Sequence, residues 1–302
     1  MKTNSTATKG EPAAMKCMEI QGGSGSTKNH YTRPGLDIWL SSQSQSCTSA
    51  GGSDLYLLSS CASGRITRLL LADVCSYGPD FARTAGDLCE LMKAYINSIR
   101  QSRFVRQLSH HLADSSSRGC FATMLLSTYF APTRKLAVCN AGHAPPLLFR
   151  ADTREWSMLK RTSCVRRLSE SPMGVVGPGE YQQFETRLEI GDLVLSCSSI
   201  LSECLDADGH TIGSEGLLRR VSDFDPDQPV VLATNLANSI RGEHCENLAS
   251  EDATVILCQA APNKVPWMDN LLAPFRYLKS VSDKTRISVE YEIGLSCRKC
   301  VP

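Results

Sequence analysis

The sequence has no excess of charge of either sign, no long apolar run and no second cysteine pair, and each absence removes a class of function. With 32 basic against 31 acidic residues, the formal charge is +1, too small to gather nucleic acid or an anionic membrane by electrostatics. No apolar stretch approaches the roughly 20 residues that a spanning helix needs, and the opening MKTNSTATKGEPAAMK lacks the apolar centre of a secretory leader. The expectation is a cytoplasmic protein with neither a nucleic-acid nor a membrane partner. Its 14 cysteines are spread through apparent helices and strands and read as reduced core thiols, not as a disulfide scaffold. Cys297 and Cys300 form the one close pair, and a structural zinc site needs four ligands.

Two covalent chemistries lack their parts as well. His244-Cys245 is followed by neither a glycine-rich loop nor an arginine to hold phosphate, so a cysteine phosphatase fails. The stretch Ser196-Cys197-Ser198-Ser199 presents hydroxyls and a thiol at the end of an apolar run, but it has no Gly-x-Ser-x-Gly elbow.

What is present is strand and helix texture in a definite order. Residues 1–50 are rich in Ser, Thr, Gly and Gln, with a short apolar patch at Ile38-Trp39-Leu40, and predict a flexible arm with one docking point. From Asp54 the runs DLYLLSS and GRITRLLLADV predict a hairpin. Leu88, Leu91, Met92, Tyr95 and Ile99, then Phe104, Leu108 and Leu112, recur at helical spacing. FATMLLSTYF, KLAVCNAG, PPLLFRA, EWSMLK, QFETRLEI and DLVLSC predict further strands, with Phe184, Leu188 and Ile190 on one face. EGLLRRV and VVLATNLANSIRGE read as helices, DATVILCQ as a last buried strand, and residues 262–302 as a tail of unassigned role. Strands in hairpin order with helices in two clusters predict an α+β sandwich of two antiparallel β-sheets flanked by helices over residues 51–261. The basic run Lys160-Arg161 to Arg166-Arg167 reads as a solvated loop.

Acids gather at the ends of these strands. Asp54 opens the first strand of the hairpin and Asp73 closes the second, so the pairing brings both to one rim, and Glu251 and Asp252 stand just before the last strand. Loops favour aspartate on their own account, so one such residue says little. Four at strand mouths suit a hard divalent cation, Mg²⁺ or Mn²⁺, which prefers oxygen ligands.

The runs GGSDLYLLSS to RLLLADVCSYG, FATMLLSTYFAPTRKLAVCNAGHAPPLLFR, PMGVVG, GDLVLSCSSILSECLDADG and SEDATVILCQ together resemble the PPM-type serine/threonine phosphatases of the SpoIIE-like branch, in that family's motif order. The resemblance implies a two-metal site at one end of the sandwich, where a bridging water attacks phosphoserine or phosphothreonine. By position it implies Asp54, Asp73 and Glu251 as metal ligands, Asp252 as the second acid of the last motif, and the Val74 carbonyl as a further ligand. Asn140-Ala141-Gly142-His143 reads mainly as a turn shaping the sheet edge, with a direct role for His143 left open. The departures are specific: Ser76-Tyr77-Gly78 replaces Gly-His-Gly, Glu251 replaces an aspartate, and Ser198 replaces a metal-binding aspartate without its charge.

Two functions follow. One is a phosphoprotein phosphatase using Mn²⁺ or Mg²⁺, two ions in the family and one or none here, in bacterial-type signalling. The other is a catalytically silent domain of the same fold that binds a phosphorylated protein or a regulator.

Overall fold

The computed structural model describes residues 13–14, 20–43, 54–61, 64–75, 81–96, 101–115, 121–160, 171–175, 181–249 and 252–262. Its strands are β1 (Ala13–Ala14), β2 (Ile20–Gly23), β3 (Thr27–Arg33), β4 (Leu36–Gln43), β5 (Asp54–Cys61), β6 (Ile66–Cys75), β7 (Phe121–Phe130), β8 (Lys135–Ala141), β9 (Leu147–Arg150), β10 (Glu155–Met158), β11 (Gln183–Arg187), β12 (Leu193–Cys197) and β13 (Ala253–Ala260). The helices are α1 (Phe81–Tyr95), α2 (Gln101–Ser115), α3 (Ile200–Glu203), α4 (Gly213–Ser222) and α5 (Pro229–Glu243).

The strands form two sheets, one in the order β1-β3-β4-β13-β12-β9-β10 and the other β11-β8-β7-β6-β5-β2. Every neighbouring pair is antiparallel except the two-residue pairing of β1 with β3. Alternation on β6 shows how the layers arise. Leu69 and Leu71 face the other sheet and pack with Leu36, Ile38, Leu40, Val194 and Ile256, whereas Leu70, Ala72 and Val74 face α1 and α2. Both faces of the strand are covered, which accounts for its unbroken apolar run. On the far side of the first sheet, Leu195, Leu201, Leu217, Leu236 and Leu257 form a third cluster with α3 to α5. Each fully buried leucine contributes about 2 kcal/mol of transfer free energy. The expected sandwich of sheets flanked by helices is therefore present as four layers.

Residues 20–43 depart from the expectation of a flexible arm. β2 joins the second sheet beside β5, and β4 pairs along its whole length with β13 near the middle of the first sheet. Leu36, Ile38 and Leu40 alternate inward as a strand requires. Their polar neighbours dilute that signal, and a partner more than 200 residues away supplies the pairing. Ile190 also departs: β11 stops at Arg187, so Leu188 is buried while Ile190 turns out to solvent. Ile99, Arg161, Arg166, Arg167, Cys297, Cys300 and the tail from 263 lie outside the described residues.

Cys75, Cys89, Cys139, Cys197, Cys204, Cys245 and Cys258 carry free thiols, and of these Cys89, Cys139, Cys197, Cys204 and Cys258 are buried. Among the described residues no helix is long and apolar enough to cross a membrane.

Candidate metal centre

The β5–β6 register makes Asp54 and Asp73 cross-strand partners. Their closeness follows from the hydrogen bonds one strand further on. Ala122 of β7 exchanges both its backbone bonds with Met173, at 3.0 and 2.7 Å, so Val74, which stands opposite Ala122, turns its own N–H and C=O toward the β5 side. The same alternation makes Asp54 and Asp73 a non-hydrogen-bonded pair, the kind in which facing side chains stand nearest. Both carboxylates lie on the face toward the first sheet, in line with Leu58 and Leu71.

The first sheet answers with the ends of β12 and β13. Ser198 follows the last β12 residue, and its N–H donates to the Thr254 carbonyl at 2.8 Å. Its hydroxyl accepts the Thr254 N–H at 2.9 Å, so the N–H and the hydroxyl of Ser198 extend the ladder by one step. Ser198 and Thr254 are fully buried, and Asp54, Asp73 and Asp252 nearly so. Burial pushes the Asp54 carboxyl up to about 8 and the Asp73 charge adds to the rise, while hydrogen bonds from the Ser198 and Thr254 side chains oppose it and Asp252 adds a smaller repulsion.

Asp73 is gripped from several sides through one oxygen. Its Oδ2 accepts the Ser199 N–H at 2.7 Å and faces the Thr123 hydroxyl at 3.5 Å, with His143 Nε2 3.7 Å away. The His143 side chain is wholly buried. Asn140 brackets it, accepting the His143 N–H at 2.8 Å and donating to the His143 carbonyl at 2.9 Å. Asp54 Oδ2, Asp73 Oδ1 and His143 Nε2 are buried without a hydrogen-bond partner among the described residues.

Of the residues singled out in the sequence, Asp54, Asp73, Val74, Ser198 and Asp252 meet at one end of the sandwich; Glu251 and Ser76 to Gly78 lie outside the described residues. Asp54, Asp73 and Asp252 do not bring three ligand atoms within 4.8 Å of one another, a condition that Asp206, Asp208 and His210 alone meet among the described residues. That trio follows α3, and sequence reading passed over it. Its closeness has a local cause, since Asp206 Oδ1 accepts the N–H groups of Asp208 and His210 at 3.0 and 2.8 Å, an Asx-type turn.

The structure adds Thr123, Thr254 and the His143 ring to the sequence-derived set. Thr254 stands in the Glu251-Asp252-Ala253-Thr254 run, where it was visible, whereas Thr123 joins only through the β6–β7 register. Cys197 is no nucleophile: burial pushes its thiol up to about 12.

The sequence pattern of the family described as Stage II sporulation protein E, SpoIIE, matches residues 63–261. No curated protein sequence matches the chain. Among solved structures, the RsbU and RsbW domains of Rv1364c from Mycobacterium tuberculosis share 19% identity at a TM-score of 0.62, covering 80% of this chain and 64% of that one. The chain thus spans less than two thirds of that relative. The PP2C phosphatase domain with a regulatory-domain fragment of SpoIIE from Bacillus subtilis shares 15% identity at a TM-score of 0.58, covering 80% and 71%. RsbX in complex with magnesium shares 14% identity at a TM-score of 0.54, covering 78% and 100%. At these identities the likeness shows the fold.

Proposed function

The chain belongs to the SpoIIE family of PPM-type phosphatases, and on that premise we propose that it hydrolyses phosphoserine or phosphothreonine in a partner protein, within bacterial-type signalling and with a divalent cation. The observation that carries this reading is a pair of orphaned oxygens: Asp54 Oδ2 and Asp73 Oδ1 are buried on facing strands with no donor. Burial and the neighbouring Asp73 charge keep Asp54 protonated without a cation, and a cation between the two carboxylates would let both ionise. The donor set is all oxygen, which fits Mg²⁺ or Mn²⁺ better than a softer metal. Asp54, Asp73 and Asp252 would hold it, with the Val74 carbonyl, which points to the β5 side of β6, and with Glu251, the sequence neighbour of Asp252. When bound, the ions supply an activated water and neutralise charge on the transferring phosphoryl group.

This chain's own residues hold the arrangement. Ser199 N–H and Thr123 fix Asp73 through Oδ2 and leave Oδ1 for the ligand. Ser198 and Thr254 donate to Asp54, and the buried leucines and valines between the sheets lie directly behind the carboxylates.

One observation favours the second reading, a silent domain that binds a phosphorylated protein or a regulator. At the position of a metal-binding aspartate, Ser198 spends its hydroxyl on Thr254 and on Asp54, and no charge replaces the missing one. Mn²⁺ binding and hydrolysis of an aryl phosphate by the native protein, Asp54→Ala and Ser198→Asp separate the two. Metal binding and turnover that Asp54→Ala abolishes support the phosphatase; turnover by Ser198→Asp alone supports the silent domain.

A further inference from the structure

The Asn140-Ala141-Gly142-His143 turn does more than end a strand. Gly142 has φ +71°, and a side chain there would meet the Pro172 backbone nitrogen at 2.6 Å, so the turn is wedged against the 171–175 segment. Asn140 closes it with two hydrogen bonds to the His143 backbone. The imidazole is then set by its sequence neighbour. His143 Nδ1 lies 3.1 Å from the Ala144 carbonyl, an oxygen that only accepts, so Nδ1 carries the hydrogen and Nε2 of the neutral ring carries a lone pair. The side chain is wholly buried, and Nε2 has no hydrogen-bond partner among the described residues.

That lone pair is buried beside a carboxylate. Asp73 Oδ2 stands 3.7 Å from Nε2, too far for a proton held between them, since such a bond needs about 3 Å. It is the spacing of two donors on one cation: bonds of about 2.1 Å to a common ion set their ligand atoms roughly 3 to 4 Å apart. A hydrogen bond from the other ring nitrogen to a backbone carbonyl is also how metal-binding histidines are oriented. Ser199 N–H occupies one side of Asp73 Oδ2 at 2.7 Å, and a carboxylate oxygen has a second lone pair to give. The Thr123 hydroxyl, 3.5 Å from the same oxygen, places a neutral donor at this corner.

From this geometry we propose that His143 is a metal ligand through nitrogen: Nε2 and Asp73 Oδ2 share one transition-metal cation. The assignment rests on the metal-dependent reading above and narrows it. Carboxylate oxygens suit Mg²⁺ and Mn²⁺ alike, whereas an imidazole favours a transition metal. Asp54, Asp73 and His143 do not bring three ligand atoms within 4.8 Å of one another, so one ion does not span all three as they stand. Asp73 is the residue common to the Asp54 side and the His143 side.

The test uses Mn²⁺, whose unpaired electrons report the nitrogen nuclei bound to it. Pulsed electron paramagnetic resonance is recorded on the Mn²⁺-loaded native protein, on the same protein labelled with ¹⁵N in histidine alone, and on His143→Ala and His143→Gln. Calorimetric titration gives the affinities of each for Mn²⁺ and Mg²⁺. The expected result is a ¹⁴N modulation in the native protein that becomes a ¹⁵N signal on labelling and vanishes in both variants. Loss of an outer partner of a metal ligand costs roughly 10- to 100-fold in affinity, so His143→Ala should lose at least about tenfold for Mn²⁺ and less for Mg²⁺. His143→Gln fills the same space and serves if His143→Ala does not fold. Bound Mn²⁺ without histidine coupling, or coupling that persists in a folded variant, overturns the proposal and leaves the phosphatase reading standing. A native protein that binds no Mn²⁺ overturns the metal-dependent reading and this assignment together.

Discussion

Ser198 and Thr254 hold each other by two hydrogen bonds, one from the Ser198 N–H to the Thr254 carbonyl at 2.8 Å and one from the Thr254 N–H to the Ser198 hydroxyl at 2.9 Å. The serine therefore completes a ladder that an aspartate would complete only by bringing a charge beside Asp54.

Ser198→Asp is expected to destabilise the metal-free protein and to make its melting temperature more responsive to Mn²⁺. A third buried carboxylate next to Asp54 and Asp73 is uncompensated without a cation, whereas a cation binding only the folded state stabilises it by mass action. Melting curves of both proteins with and without Mn²⁺ provide the check, and equal responses would contradict the expectation.

The metal-free protein is expected to lose stability as pH rises. Asp54 holds its proton up to about 8 in the folded state, against 3.8 ordinarily. Between those values the folded chain binds a proton that the unfolded chain has released, so the contribution is fully present below the ordinary value and fades toward the raised one. The loss is on the order of a few kcal/mol. Urea midpoints across that range should fall for the native protein and run flatter for Asp54→Asn.

Asn140→Ala removes both bonds that bracket His143, and Gly142→Ala places a Cβ against Pro172 at positive φ. Each change should cost about 1–3 kcal/mol in urea unfolding. An unchanged denaturant slope would show that the fold itself persists.

Alkylation of the native protein should reach Cys245 well before Cys139, Cys197 or Cys258. Cys245 is exposed, while burial raises the other three thiols, Cys139 and Cys197 to about 12 and so suppresses the reactive thiolate. Mass spectrometry of a short iodoacetamide pulse would test the order.

The helices and most strands were legible because their signals are local. Phe104, Leu108 and Leu112 recur on one helical face and all are buried in α2; the DLYLLSS and GRITRLLLADV runs pair as the hairpin that puts Asp54 opposite Asp73. β4 was the contrary case. Its inward residues alternate correctly, but Ser41, Ser42 and Gln43 carry no strand signal without β13, whose pairing closes a loop of over 200 residues. Long-range partners leave no trace in composition.

The sequence by itself determined the two-sheet architecture, the family and the acids at the strand ends, because periodicity and motif order are properties of neighbouring residues. Only the tertiary structure decided what those acids face. The alternation of bonds around Ala122 turns Asp54 and Asp73 into a close pair, the approach of the first sheet brings Ser198, Ser199 and Thr254 against them, and the Asn140 turn delivers His143 to Asp73. These contacts depend on register and sheet packing, which fix distances between residues that the chain keeps far apart.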